Sequence, residues 1–156
     1  MHLTYIDDNV IFIHDKKDID FDDIDELKEY FKTIFIRLKN ELEPYGYYLV
    51  KVYKDINGMI IEFEELDLYS EELEMKIIIE EVEFLYQIED IFIDKCLLDG
   101  VDIIEHSNKL YLKVKNKLNN IKIGYLYEIS KLLYKDTLNI IKCGKYLSLK
   151  KTLNLI

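Results

Sequence analysis

The sequence contains no alanine and no tryptophan, and it has a single arginine, Arg37, and a single proline, Pro44. Isoleucine, lysine, asparagine, aspartate and tyrosine are abundant instead, which is typical of an AT-rich coding sequence. The preference for lysine over arginine is therefore attributed to the genome and not to a binding site. A nucleic-acid surface favours arginine forks for phosphates and base edges, and one arginine does not supply them.

Cysteine and glycine are scarce as well. Cys96 and Cys143 form no C-x-x-C pair, which argues against a zinc site or a disulfide framework and favours reduced thiols. The five glycines form neither G-x-x-x-x-G-K nor G-x-G-x-x-G, which argues against the common nucleotide-binding loops. No apolar run approaches the ~18 residues of a membrane span, and the first residues lack a basic region followed by an apolar stretch. We therefore expect a cytoplasmic protein without membrane association.

The sequence does contain enough apolar material to close a core. Of its 156 residues, 49% are hydrophobic, and 13 tyrosines and 7 phenylalanines are among them. This content excludes intrinsic disorder, and a chain of this length buries roughly 70% of its unfolded surface. We predict a single domain over residues 1–156, with a seam near Gly100 as the alternative.

The clearest predicted element is an amphipathic helix from about Asp23 to Glu43. Asp23 and Glu26 have the spacing of a capping box, and Pro44 and Gly46 end the helix. Apolar residues recur every three or four positions and form one stripe: Ile24, Leu27, Phe31, Ile34, Phe35, Leu38 and Leu42.

Strands are predicted on both sides of this helix. Asn57-Gly58 is typical of a type I′ hairpin turn between two of them. The predicted strands are His2 to Ile6, Val10 to His14, Tyr47 to Lys54, Met59 to Glu65 and Glu74 to Glu81. The pattern predicts an α+β fold with antiparallel sheets around one long amphipathic helix and a ββαββ start.

The last third of the chain adds further elements. Val101 to Glu105 and Lys109 to Lys115 are predicted to form a hairpin around residues 106–108. Residues 121–129 fit both a strand and a helix, and we favour a strand because every odd position is apolar. Residues 136–143 fit a short helix capped by Gly144 or a hairpin arm, and the pattern does not decide between them.

Charge is distributed unevenly along the chain. Residues 1–108 hold 10 Lys plus Arg and 29 Asp plus Glu, whereas residues 109–156 hold 11 Lys and two acids, so the balances are -19 and +9. Such asymmetry indicates an electrostatic partner unless the basic third packs beside the acidic residues and cancels their field. The residues expected to bind a basic partner are Asp25, Glu26, Glu29, Glu62 and Glu64. The alternative surface, for a polyanion, is the lysine face of Lys109, Lys113, Lys115 and Lys117.

No pattern of catalytic residues is complete. Asp18-x-Asp20-x-Asp22 with Glu29 has the carboxylate spacing of an EF-hand loop, but Asp23 replaces the turn glycine and no helix precedes it. The three histidines have no ligand spacing, and adjacent acids on a strand point to opposite faces. We therefore predict no catalytic, cofactor-binding or metal-binding residues and no enzymatic activity.

Taken together, these patterns favour a non-enzymatic binding protein that presents an acidic face to a basic partner protein. Inhibitors, anti-defence or immunity proteins and regulatory adaptors work in this way. Binding of nucleic acid or another polyanion is the second interpretation, and a metal-assisted hydrolase is the third. The sequence does not indicate the partner, the biological process or the oligomeric state.

Overall fold

The computed structural model describes residues 3–7, 10–13, 21–37, 45–88 and 101–147. Its elements are β1 (Leu3–Asp7), β2 (Val10–Ile13), α1 (Ile24–Arg37), β3 (Gly46–Asp55), β4 (Gly58–Leu66), β5 (Leu73–Glu81), β6 (Leu85–Ile88), β7 (Val101–His106), β8 (Lys109–Val114), α2 (Asn120–Ile129), β9 (Ser130–Leu133), α3 (Thr137–Cys143) and β10 (Lys145–Leu147). No helix in these ranges is long and apolar enough to cross a membrane.

The chain folds as two compact units. The first comprises Met1–Lys54 and Gly58–Glu81, and the second comprises Asp55–Asn57 and Val82–Ile156. Two compact units are compatible with one domain or with two, so the single domain over residues 1–156 stays a prediction. Gly100, the position of the alternative seam, lies outside the described residues.

The first unit contains a five-stranded mixed sheet in the order β1-β2-β4-β3-β5. β2 runs antiparallel to both β1 and β4, whereas β5 runs parallel to β3 from the pair Gly46↔Leu73 to the pair Lys54↔Glu81. The prediction of purely antiparallel pairing is therefore wrong for this sheet. The reason is the position of β3 between β4 and β5 in the sheet. Residues 67–72 connect the end of β4 to the start of β5 across the start of β3, so β5 runs in the same direction as β3.

Helix α1 packs on one face of this sheet. The Asp23 carboxylate accepts hydrogen bonds from the backbone N–H groups of Asp25 at 3.1 Å and Glu26 at 3.2 Å, which confirms it as the N-cap. Ile24, expected in the apolar stripe, is exposed, and residues 38–43 of the predicted helix lie outside the described ranges. The core under the helix contains Leu27, Phe31, Ile34, Phe35, Ile11, Ile13, Tyr48, Val50, Val52, Met59, Ile61, Phe63 and Met75.

The turn between β3 and β4 lies at Ile56-Asn57 and not at Asn57-Gly58. Among the described non-glycine residues, positive φ occurs at Ser107, Asn108 and Asp136, so Asn57 lacks the backbone angle that a type I′ turn requires. Gly58 has a φ of 149° and begins β4. The predicted type I′ turn is therefore wrong, although the hairpin itself is confirmed.

The second unit contains an antiparallel five-stranded sheet in the order β10-β7-β8-β6-β9. The predicted hairpin of β7 and β8 is confirmed, and its turn residues Ser107 and Asn108 have φ values of 51° and 62°, as a type I′ turn requires. One core cluster of this unit contains Leu85, Ile104 and Tyr111, against which Leu133, Ile140 and Ile141 pack.

Residues 121–129, expected as a strand, belong to helix α2. The Asn119 side chain accepts a hydrogen bond from the backbone N–H of Lys122 at 2.8 Å and caps the helix. Ile123 and Leu126 are buried while Ile121 is 84% exposed, which is a helical and not an alternating pattern.

The alternative left open for residues 136–143 is resolved as helix α3, with Gly144 donating its backbone N–H to the Ile140 carbonyl at 2.8 Å. The described residues thus contain three helices and ten strands. The predicted α+β class is confirmed. Two strands precede α1 and two follow it, but the described residues contain two further helices and six further strands, so a scheme built around one long helix does not describe the molecule.

Candidate functional site

The predicted acidic residues of the helix lie on its solvent side. Asp25, Glu26 and Glu29 are exposed in the first turns of α1, and the buried stripe of the helix faces the sheet. Acids in the first turn also interact favourably with the helix dipole. Asp25 and Glu26, which lie in the first turn, therefore have a local stabilising role in addition to any role in binding.

Glu62 and Glu64 lie on the other side of the first sheet. Their neighbours Ile61 and Phe63 pack under α1, and successive side chains of a strand alternate between faces. Glu62 is half-buried, and the exposed Glu64 carboxylate lies 3.4 Å from the Lys51 ammonium. The five predicted acidic residues therefore form two groups on opposite sides of the sheet and not one face.

A different surface collects both acids and tyrosines at one end of this sheet. β3 and β4 form a hairpin, so β4 ends where β3 begins, and the pair Gly46↔Leu73 places the start of β5 at the same end. We call this surface the acid–tyrosine end; it consists of Tyr45, Tyr47, Glu64, Glu65, Asp67, Tyr69, Glu71, Glu72 and Glu74. Eight of these nine side chains are exposed, and Glu74 is half-buried.

Backbone hydrogen bonds fix the loop of the acid–tyrosine end. The Gly46 N–H donates to the Glu72 carbonyl at 3.1 Å, and the Glu72 N–H donates to the Ser70 hydroxyl at 3.3 Å. The Leu68 N–H donates to the Leu66 carbonyl at 2.7 Å. The loop presents Tyr69 at 80% exposure with Leu68 at 61% beside it. Exposed aromatic side chains on a fixed loop are typical of protein interfaces.

The acidic run in the sequence indicates this surface, although the predicted site included only Glu64 from it. Residues 64–75 contain six carboxylates and no lysine or arginine. Only the fold shows that Tyr45 and Tyr47, some twenty residues earlier, lie at the same end, because strand pairing joins the two segments.

The predicted lysine face is partly neutralised within the second unit. Lys113 Nζ lies 3.5 Å from the Glu83 carboxylate, and Lys115 Nζ lies 3.0 Å from the Asp102 carboxylate. Lys109 and Lys117 are exposed. Tyr111, which lies between Lys109 and Lys113 in β8, is buried in the core and does not offer a stacking surface for a base.

The net charge follows the two units. The first unit contains 9 Lys plus Arg and 21 Asp plus Glu, a balance of -12, and the second contains 12 Lys and 10 acids, a balance of +2. The basic last third therefore shares its unit with acidic residues of the middle of the chain. The second unit is close to neutral, and the first is strongly negative.

A buried polar cluster in the second unit is structural. Asn57, 2% exposed, donates from its side-chain amide to the Asn116 carbonyl at 3.2 Å and accepts from the Leu118 N–H at 2.7 Å. The Asp55 carboxylate accepts from the backbone N–H groups of Phe84 at 3.0 Å and Asn57 at 2.8 Å. Both side chains are occupied by backbone partners, which explains why Asn57 does not adopt the turn conformation expected of it.

Tyr86 adds a neutral phenol to this unit. Its hydroxyl is buried and has no hydrogen-bond partner among the described residues. Burial, with the negative charge of Asp55 as a smaller cause, raises the pKa of Tyr86 far above its ordinary value. The phenol therefore stays protonated at neutral pH.

The remaining residues with metal-binding or nucleophilic side chains form no site in the part of the chain that the structure describes. In the described ranges no three His, Cys, Asp or Glu side chains lie close enough together to hold a metal ion. Asp18 and Asp20 of the EF-hand spacing lie outside those ranges, as do His2, His14 and Cys96. Cys143 is exposed, with its thiol 3.4 Å from the Asn139 amide oxygen.

Comparisons with known proteins add no further information, because no family model, curated protein or solved structure matches the chain.

Proposed function

We propose that this chain is a non-enzymatic binding protein that presents the acid–tyrosine end to a basic partner protein. The observation that carries the proposal is the meeting of six carboxylates and three exposed tyrosines at one end of the first sheet. Inhibition, anti-defence or immunity action, or regulation of the partner in the cytoplasm, is the role that such a surface fits best.

The charge of the first unit supports this function kinetically. A balance of -12 in a unit of 78 residues produces a negative potential that attracts cationic proteins over about one Debye length. Steering of this kind raises association rates by roughly 10- to 1000-fold at low ionic strength. The acids of the helix, Asp25, Glu26 and Glu29, contribute to this field although they lie on the other side of the sheet from Glu62 and Glu64.

The tyrosines supply the short-range contact. A tyrosine offers a large amphipathic surface with few rotatable bonds, so its ordering on binding costs little entropy. Its ring also attracts the cations of a basic partner, by about 0.5–1 kcal/mol at an exposed site. Tyr69 at 80% exposure is the most accessible of the three. We therefore expect lysine or arginine side chains of the partner to contact Tyr69 and the carboxylates around it.

The proposal is tested with a fluorescein-labelled peptide rich in lysine and arginine. Association with the full chain should slow by one to three orders of magnitude as salt is raised from low to high ionic strength. A rate that does not change across the salt series would contradict an electrostatic surface and leave an apolar interface in its place.

A heparin column distinguishes the polyanion interpretation. The acidic surface predicts no retention, since heparin and the first unit carry the same sign of charge. Retention that is lost in a Lys109→Glu, Lys117→Glu double variant would instead support the lysine face. These two residues are chosen because reversal at Lys113 or Lys115 would also break the ion pairs with Glu83 and Asp102.

A further inference from the structure

Strand β5 forms one edge of the first sheet. It pairs with β3 on one side, and in the part of the chain that the structure describes no strand pairs with its other side. The nine register pairs between β3 and β5 run without a shift, so β5 has no bulge that would turn its edge away. A long regular edge strand presents a row of backbone donors and acceptors to any chain that can align with it.

The side chains of β5 do little to block such pairing. Natural edges are protected by lysines, prolines or short strands, and β5 has nine residues, no proline and Lys76 alone among the basic residues. Ile78 and Ile79 are 45% and 37% exposed on opposite faces of the strand. Both faces of the edge therefore offer apolar contact beyond the backbone.

The charge around β5 selects what can align with it. Residues 71–81 contain five glutamates and one lysine, a balance of -4. A second copy of this chain would bring an equal negative charge to the same edge, and a polyanion would be repelled as well. A basic segment is the occupant that the charges favour.

We propose that the outer edge of β5 binds an extended basic segment of the partner protein as an added strand. The inference rests on the proposed function, because the start of β5 lies at the acid–tyrosine end, and it specifies how the partner docks. Backbone hydrogen bonds along an edge provide affinity, and alternate side chains provide specificity.

The alternation of β5 defines the sequence of the segment. Glu74, Lys76, Ile78 and Glu80 share one face, and Ile77, Ile79 and Glu81 share the other. A segment in which lysine or arginine alternates with valine or isoleucine places its cations on the face of Glu74 and Glu80, where Lys76 is the one like charge. Its apolar side chains then lie beside Ile77 and Ile79. The same segment carries the charge that the first unit attracts.

The test uses a capped heptapeptide of alternating lysine and valine with the full chain, and hydrogen exchange of the β5 amides as the readout. On binding, every second amide within residues 73–81 should exchange at least about tenfold more slowly, because only alternate N–H groups of a strand face the added chain. A peptide of the same charge with alternate backbone nitrogens methylated should bind more weakly and give no protection.

Two double variants that change the net charge by the same amount test whether the heptapeptide contacts β5. Glu80→Lys with Glu81→Lys should weaken binding of the heptapeptide about tenfold. Glu26→Lys with Glu29→Lys makes the same charge change on α1 and should weaken it about twofold or less.

The outcomes separate the two proposals. Salt-dependent binding without slower exchange in β5 would overturn strand addition and leave the acidic binding surface intact. Absence of salt-dependent binding to any lysine- and arginine-rich peptide would overturn the proposed function itself. Self-association of the chain that slows β5 exchange without peptide would show that a second copy occupies the edge, and it would overturn the basic occupant.

Discussion

Replacement of Gly58 by alanine adds one Cβ atom and tests how closely β4 packs against β2 in the first sheet. Gly58 has a φ of 149°, a region that residues with a side chain rarely adopt. A Cβ atom at this position would lie 2.6 Å from Phe12 Cε2 and 2.7 Å from the Ile13 carbonyl oxygen. Both neighbours belong to β2, which pairs with β4, and Phe12 is fully buried.

The cost of Gly58→Ala has two parts. Backbone strain at a position that favours glycine is about 1–3 kcal/mol, and overpacking of a filled site adds about 1–3 kcal/mol. The Ile13 oxygen is a backbone atom engaged in the sheet, so it does not move aside as a flexible side chain would. We therefore expect a loss of about 3 kcal/mol or more in the free energy of unfolding.

Gly46→Ala provides the matched control. Gly46 also has a positive φ, 99°, but no atom lies within 4 Å of the place where its Cβ would stand. Only the strain remains there, so the loss should be about 1–2 kcal/mol. Urea unfolding of the full chain, followed by far-ultraviolet circular dichroism, measures both variants against the wild type. Equal losses in the two variants, or wild-type stability in Gly58→Ala, would refute the close contact with β2.

Three further predictions concern stability and binding. Asn57→Ala should destabilise the chain by about 2–3 kcal/mol in urea unfolding, because it leaves the Asn116 carbonyl and the Leu118 N–H of the second unit without partners; a change below about 0.5 kcal/mol would contradict both bonds. Tyr86→Phe should leave stability at neutral pH within about 1 kcal/mol of wild type, since it removes a buried hydroxyl without a partner. The raised pKa of Tyr86 means that the native state keeps its proton when the unfolded chain loses it, so stability should fall as the pH rises above about 10, and this fall should be smaller in Tyr86→Phe. Tyr69→Ala should leave the melting temperature unchanged but weaken binding of the lysine- and arginine-rich peptide about three- to fivefold, as measured by fluorescence anisotropy.

Much of the fold follows from local patterns in the sequence. The helix start at Asp23 has a capping residue, an acidic first turn and an apolar stripe, and all three agree with α1. The turn at Ser107-Asn108 lies where two alternating strands meet. These elements could be predicted because the interactions that specify them lie within a few residues of one another.

The errors occur where distant contacts decide between local alternatives. Asn57-Gly58 is a favourable type I′ pair, yet the Asn57 side chain bonds to residues 116–118, and Gly58 fits against β2. Residues 121–129 alternate like a strand, but the burial of Ile123 and Leu126 selects a helix. The cap at Asn119 is a local signal for the same helix that the alternation pattern does not contain. The parallel pairing of β5 depends on where the chain crosses the sheet, which a local pattern does not contain.

The candidate site shows the same division. Acidic residues could be identified from the sequence, but their grouping could not. Glu62 and Glu64 lie on the sheet face opposite α1, whereas Tyr45 and Tyr47 reach the acids of residues 64–74 only through strand pairing. Charge composition therefore indicates that acidic residues are abundant at the surface, and the topology of the sheet determines which of them lie together.

The most direct test of the central claim compares two charge reversals of equal size. Glu71→Lys with Glu72→Lys changes exposed residues of the acid–tyrosine end outside any strand, and Glu26→Lys with Glu29→Lys changes exposed residues of α1 outside the acid–tyrosine end. The dissociation constant of the lysine- and arginine-rich peptide should rise at least about tenfold in the first variant and about twofold or less in the second. Equal losses would show that net charge alone attracts the peptide, and a larger loss in the helix variant would place the binding surface on α1, so either result would contradict the acid–tyrosine end.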